Sequence, residues 1–198
     1  MPISLIQKGS VSVHDLIPIT PLGGQAPRVD TVGAVTVTEV TDRALASVAA
    51  RMGAEKAAGE TLSKTIGAQA PAPSRLAGDT LSAFWTGPDQ WMIEAPIDTH
   101  EDLAKQLVAA FGSTASATEQ TDAWCRFDLS GPHLPQVMEI LCPVDTHIWR
   151  GGEATRTSID HLGCFLLCRD PQTFSVIGPR SSAGSLHHAL LTACRAAL

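Results

Sequence analysis

The feature that most restricts the fold of this chain is a weak internal repeat of hydrophobic patterns and turn signals, with a period of about ninety residues. Gly33 to Val40 alternates small and β-branched residues as a strand does. Asp42 then stands where an N-cap would open a helix bearing Ala44, Leu45, Val48, Ala49 and Met52. In the second copy Ala123 to Leu129 reads as a strand, with Ala123, Cys125, Phe127 and Leu129 on one face. Ser130-Gly131-Pro132 follows, and then a helix bearing Leu134, Val137, Met138 and Leu141, in which Pro135 is accommodated only in the first turn.

Each copy continues with a hairpin and a second helix. Leu81 to Thr86, the turn Gly87-Pro88-Asp89-Gln90 and Trp91 to Ala95 are followed by a helix opened by Thr99 and carrying Leu103, Leu107, Val108 and Phe111. Its counterpart is Gly163 to Cys168, the turn Arg169-Asp170-Pro171-Gln172, Phe174 to Gly178, and a helix with Leu186, Leu190, Leu191 and Cys194. Pro88 corresponds to Pro171, Trp91 to Phe174, Pro96 to Pro179 and Leu103 to Leu186. The order predicts an α+β fold of duplicated ferredoxin-like (split βαβ) units, antiparallel sheets with helices on one face, the first over residues 31–122 and the second over 123–198.

Two segments stand outside the repeat. Residues 56–79, rich in Ala and Gly and containing Pro71-Ala72-Pro73, predict a long loop. Residues 1–30, with Pro18, Pro21 and Pro27 around Leu16-Ile17-Pro18-Ile19, predict an extended arm that needs a partner surface to be ordered, which makes Leu16 and Ile17 interface candidates.

A net charge of -6, with 14 scattered Lys and Arg, gives no footprint for a nucleic-acid backbone. No apolar run reaches the ~20 residues that span a bilayer, and no basic-then-apolar leader opens the sequence, so a soluble cytoplasmic protein is expected. Five cysteines, an odd number set mostly in apolar runs, fit buried reduced thiols better than a disulfide framework.

The search for chemistry returns little. On one strand Cys164 and Cys168 share a face but lie about 13 Å apart at ~3.3 Å per residue, too far for two thiolates each ~2.3 Å from one zinc. Cys142 with His147, or Cys125 with His133, would make a nucleophile and base, but neither pair comes with an oxyanion loop or a nucleophile turn. His187 and His188 are adjacent on a helix and point about 100° apart. No glycine-rich phosphate cradle occurs, and Gly151-Gly152 reads as a turn. No catalytic, cofactor-binding or metal residue is therefore assigned. Of four tryptophans, Trp85 and Trp91 flank a hairpin turn as a cross-strand core pair, whereas Trp149 is a candidate interface anchor. Arg156, between Thr155 and Thr157, is a further interface candidate through bidentate contacts; an internal ion pair with Asp128 or Asp145 is the alternative.

Taken together, W-T-G-P-D-Q-W at Trp85 to Trp91, F-D-L-S-G-P at Phe127 to Pro132, C-P-V-D at Cys142 to Asp145, A-T-R-T at Ala154 to Thr157, and Arg180-Ser181 before the last helix resemble the gamma-subunit family of heterotetrameric sarcosine oxidase. The likeness extends over about residues 30 to 195. Two departures are Thr146, where an apolar residue is commoner, and Arg180 to Gly184, which lacks the family's aromatics. The resemblance implies a fold like the folate-binding domain of glycine-cleavage aminomethyltransferase. It also implies a non-catalytic subunit in a complex with alpha, beta and delta subunits that oxidatively demethylates sarcosine to glycine, formaldehyde or methylene-folate, and hydrogen peroxide. FAD, FMN, NAD, folate and zinc are then expected in the other subunits or at their interfaces. A stand-alone folate-binding or aminomethyltransferase-like protein is the alternative, disfavoured by the short chain and the missing K-G-C-x-x-G-Q segment.

Overall fold

The computed structural model describes residues 18–198. Eleven strands form two antiparallel sheets. One has five strands in the order β4 (Leu76–Gly78), β5 (Ser82–Gly87), β6 (Gln90–Pro96), β3 (Arg43–Ala50), β7 (Ala115–Glu119). The other has six, in the order β1 (Val29–Val32), β2 (Val35–Val40), β8 (Trp124–Ser130), β11 (Thr173–Pro179), β10 (Leu162–Asp170), β9 (Glu153–Ile159).

Helices cover one face of each sheet. On the five-stranded sheet α1 (Glu55–Ile66) buries Ala58, Leu62 and Ile66, and α2 (Leu103–Phe111) buries Leu103, Leu107 and Phe111. On the six-stranded sheet α3 (Leu134–Leu141) and α4 (Ala183–Ala197) bury Leu134, Val137 and Met138, and Leu186, Leu190 and Leu191. The bare faces of the two sheets meet each other around Leu45, Phe84, Met92, Phe165, Leu167 and Ile177. The layers therefore run helices, sheet, sheet, helices, and the central strands are buried on both faces.

That double burial corrects the reading of residues 42–52 as a helix. Residues Arg43–Ala50 are strand β3, in which Ala44, Ala46 and Val48 face the helices while Leu45 faces the other sheet. A strand apolar on both sides loses its two-residue alternation and reads as an unpatterned apolar run. The loop expected over 56–79 is corrected as well. Glu55–Ile66 is α1, closed by Gly67 in the left-handed conformation at φ +66°, and Leu76–Gly78 is an edge strand. The helix expected from Thr99 begins instead at Leu103, since the Thr99 hydroxyl is engaged with the Pro96 carbonyl and His100 in the preceding turn.

The hairpins at Gly87–Gln90 and Arg169–Gln172 lie where the turn residues place them, with Trp85 opposite Trp91 and Cys168 opposite Phe174. Strand β1, however, pairs with β2 and β2 with β8, so a division between residues 122 and 123 does not coincide with a division between the sheets. The expected arm is altered in the same way. Its described part is held by this chain's own residues: buried Glu39 accepts the Leu22 and Arg28 backbone N–H groups at 2.9 and 3.0 Å, and Arg180 donates to the Ile19 carbonyl at 3.1 Å. Leu16 and Ile17 lie outside the described residues.

A buried ionic cluster joins the two sheets. Glu94 on β6 is 1% exposed and accepts from Arg126 Nη1 on β8 at 2.9 Å, from Arg169 at the end of β10, and from the Ser82 hydroxyl at 2.8 Å. Arg126 also makes a two-pronged contact with Asp128 at 2.7 and 2.8 Å. Burial alone would raise the Glu94 pKa, but Arg126 and Arg169 outweigh it and hold the carboxyl at about 2, so it is charged at any physiological pH.

Candidate functional site

Strand β9 forms one outer edge of the six-stranded sheet, and the loop returning from α3 to it, residues 142–152, folds back alongside. The loop is built locally. Asp145 accepts the His147 N–H at 3.2 Å, and Arg150 Nη1 donates to the carbonyls of His147 and Trp149, both at 2.8 Å. Gly151 and Gly152, at φ +120° and +89°, turn the chain into the strand. A Cβ on Gly151 would lie 2.9 Å from the Arg169 carbonyl, so the turn requires glycine there.

Glu153 anchors the junction. Burial works against its charge, but the N–H groups of Gly151 and Arg150, together with Arg75, hold its carboxyl below the ordinary range. The Arg75–Glu153 pair, 3.1 Å apart, ties this edge to the first half of the chain. Beside it, the Ala154 N–H donates to the Ser74 carbonyl and the Leu76 N–H to the Gly152 carbonyl, both at 3.0 Å. Segment 74–76 thus covers the beginning of the β9 edge and no more.

Beyond it the edge is open. Residues two apart on a strand share a direction, so the backbone groups of Arg156 and Ser158 point outward as Ala154 does. Among the described residues no backbone group pairs with them; the Arg156 carbonyl accepts from the Thr155 hydroxyl at 3.4 Å. In front of this open edge lies a shallow groove of ≈ 800 Å³ lined by Pro73, Val144, Ile148, Trp149, Arg156 and their neighbours. Trp149 stacks on Phe174 with ring centres 6.0 Å apart, so its indole is fixed from behind, while Ile148 is 68% exposed.

The structure therefore brings two of the interface candidates, Arg156 and Trp149, into one groove. Arg156 is exposed and lies over Gly163, whose missing side chain gives it room. Among the described residues it has no ion pair. Asp128 is taken by Arg126, and Asp145 accepts a backbone N–H, so the internal pair considered for Arg156 is not formed.

The remaining candidates do not assemble into chemistry. All five cysteines are buried and free. Burial pushes the thiols of Cys125 and Cys164 up to about 11 and that of Cys168 to about 12, and raises Cys142 and Cys194 too. Such thiols are protonated at neutral pH and are poor nucleophiles. Cys125 donates to the Gly178 carbonyl, and His147 engages Glu139 at 2.7 Å, so neither serves a cysteine–histidine couple. His187 is buried against Phe127 and bonded to Asp30 at 2.9 Å, while its neighbour His188 is exposed. What the groove offers is binding: an open strand edge, a fixed aromatic face and an unpaired guanidinium.

No protein-family model matches the chain, and no curated protein sequence matches it. The fold, in contrast, is shared with solved structures. A chain of heterotetrameric sarcosine oxidase from Corynebacterium sp. U-96, in complex with pyrrole 2-carboxylate, superposes with a TM-score of 0.70 at 22% identity, over 83% of this chain and 87% of that one. Glycine cleavage system aminomethyltransferase T from Bartonella henselae superposes with a TM-score of 0.61 at 16% identity, over 82% of this chain but 49% of that one. The chain thus has a mixed α+β fold similar to that of aminomethyltransferase T, with two antiparallel sheets and four helices among its described residues, and spans about half the length of that protein. No helix among the described residues is long and apolar enough to cross a membrane.

Proposed function

We propose that this chain is a non-catalytic gamma-type subunit of a heterotetrameric, sarcosine oxidase-like flavoenzyme, and that the groove along β9 seats it against a larger subunit. The observation that carries this reading is the extent of the fold match: nearly the whole of this chain corresponds to nearly the whole of a sarcosine oxidase chain, but to only half of aminomethyltransferase T. The cysteine thiols support the same reading, because the residue type best suited to covalent catalysis is buried here in its unreactive form.

On this reading the alpha, beta and delta partners hold FAD, FMN, NAD, folate and zinc, and this chain contributes shape and contact. The exposed half of β9 adds an extended segment of a partner to the sheet through backbone hydrogen bonds, with Trp149 and Arg156 selecting the side chains that follow. We further propose that the two halves are copies of one split βαβ unit. The succession β3, α1, β5, β6, α2, β7 in one sheet parallels β8, α3, β10, β11, α4 in the other, where β2 occupies the place of the closing strand.

Affinity capture of the tagged chain from its native cells grown on sarcosine tests the assignment. The expected eluate is yellow and contains two larger subunits and one smaller one. A colourless chain recovered alone would set the assignment aside in favour of an independent folate-binding protein, which folate titration would then examine.

A further inference from the structure

We propose that the cleft at the end of the sheet interface, beneath the segment Pro18–Pro27, binds a small free carboxylic acid with a planar apolar body, held by Arg43. The cleft encloses ≈ 340 Å³, the space of roughly ten waters at ~30 Å³ each. That is enough for a one- or two-ring acid and too little for a chain of residues. Its lining mixes apolar residues, Val40, Leu45, Ile97 and Trp124 among them, with three arginines, the Asp122 carboxylate, and threonine and glutamine side chains. A few fixed polar groups in an apolar concavity is the usual make-up of a small-molecule site.

The charge of the cleft follows from the ionic cluster behind it. Three guanidiniums, Arg43, Arg126 and Arg169, lie within 4.0 Å of two carboxylates, Glu94 and Asp128, and the charge of Asp42 also acts on Arg126. Of the three, the guanidinium without a hydrogen bond among the described residues is Arg43. Arg126 has its donors on Glu94 and Asp128, and Arg169 is bonded to Glu94, whereas Arg43 comes no closer than 4.0 Å to Glu94. Among the described residues Arg43 makes no side-chain hydrogen bond, although its side chain is only 22% exposed, and it lines the cleft.

Among the described residues no carboxylate other than Glu94 lies within ion-pair distance of it. Asp42 is exposed beside it. At the mouth Asp122, 92% exposed, stands 3.7 Å from Arg180, which itself donates to the Ile19 carbonyl. A half-buried guanidinium with free donors facing an apolar space calls for a planar monoanion, which the guanidinium fork meets with two parallel hydrogen bonds. The body of the acid lies against Trp124, whose indole is immobilised by Phe165 at 5.3 Å and by its own N–H bond to Gln120 at 3.1 Å.

Isothermal titration of the full chain with benzoate, and with benzamide as its neutral analogue, tests the site. We expect saturable binding of benzoate at least ten-fold tighter than benzamide, a loss of at least ten-fold for benzoate alone in Arg43→Met, and no binding in Ile97→Trp, which fills the cleft. Melting curves identify variants that fail to fold, and Ile97→Trp keeps the test open if Arg43→Met is one of them. Equal affinity for the two probes, no saturable benzoate binding, or benzoate binding unaffected by both folded variants overturns the proposal. Titration of the complex captured through this chain separates a free acid from a partner's side-chain carboxylate: retained benzoate binding supports the free acid, and binding abolished by assembly overturns it.

Discussion

Glu94 shows how a single residue can hold two sheets together. Its carboxylate is the shared anion of guanidiniums that come from different strands, so removing its charge leaves Arg169 and Arg43 without a counter-ion and Arg126 with Asp128 alone. Glu94→Gln is expected to lower stability by about 3–5 kcal/mol, measured by urea unfolding at neutral pH. The sign of the pH effect follows from a pKa held at about 2 against an ordinary 4.5. The stabilisation from ionised Glu94 is complete above 4.5 and is lost as the pH falls to and through about 2, so Glu94→Gln should flatten stability against pH in that acid window. An unchanged acid slope would remove the carboxylate from this role. Thr146 makes the opposite case, because its hydroxyl is buried with no hydrogen-bond partner. Thr146→Val should raise stability by about 1 kcal/mol in the same unfolding experiment, since an unsatisfied polar atom is removed at little change in shape. At this scale the sequence was readable only in part. Arg156 stood out as an arginine between threonines and Trp149 as a tryptophan suited to an interface, and both line one groove. Glu94 and Arg126 were passed over because a charge inside an apolar strand carries no spacing signature; its partner lies on the other sheet, 32 residues away.

Elements whose cause is local were legible, and those whose cause is tertiary were not. Both hairpins follow from turn chemistry, with Asp89 accepting a positive φ of 54° after Pro88, and α3 follows from Pro135 in its first turn with an apolar stripe behind it. Strand β3 was misread because it is sandwiched between a helix layer and a second sheet, a circumstance that no window of the sequence contains. Helix α1 was missed because its Ala- and Gly-containing composition masked the stripe Ala58, Leu62, Ile66, spaced by four residues. The contact between the β1–β2 hairpin and the β8–α3 turn gives a prediction at this scale. Gly131 adopts φ +139°, and a Cβ there would stand 2.3 Å from the Ala34 carbonyl. Gly131→Ala should destabilise the fold by at least about 1–3 kcal/mol, because both the backbone conformation and the space are denied to alanine. Thermal unfolding checks it, and a melting temperature within a degree of the parent's would mean that the hairpin does not press on this turn.

As a whole molecule the chain presents a four-layer body with an open strand edge at β9 and no assembled reactive centre among its described residues. Such a body is suited to docking. Its cysteines should respond to alkylation only on unfolding: iodoacetamide at neutral pH should label the native chain slowly and uniformly and all five thiols readily in urea, read by intact mass. Selective rapid labelling of Cys125 or Cys142 in the native chain would instead point to a nucleophile. The central claim, that the β9 groove joins this chain to a flavin-bearing partner, is tested most directly by the flavin absorbance per chain in complexes captured through the parent and through Arg156→Glu combined with Trp149→Ala. The expected result is a yellow parent complex, and a folded double variant with an unchanged melting curve that recovers little or no flavin. Equal flavin recovery from both, or none from the parent, would contradict it.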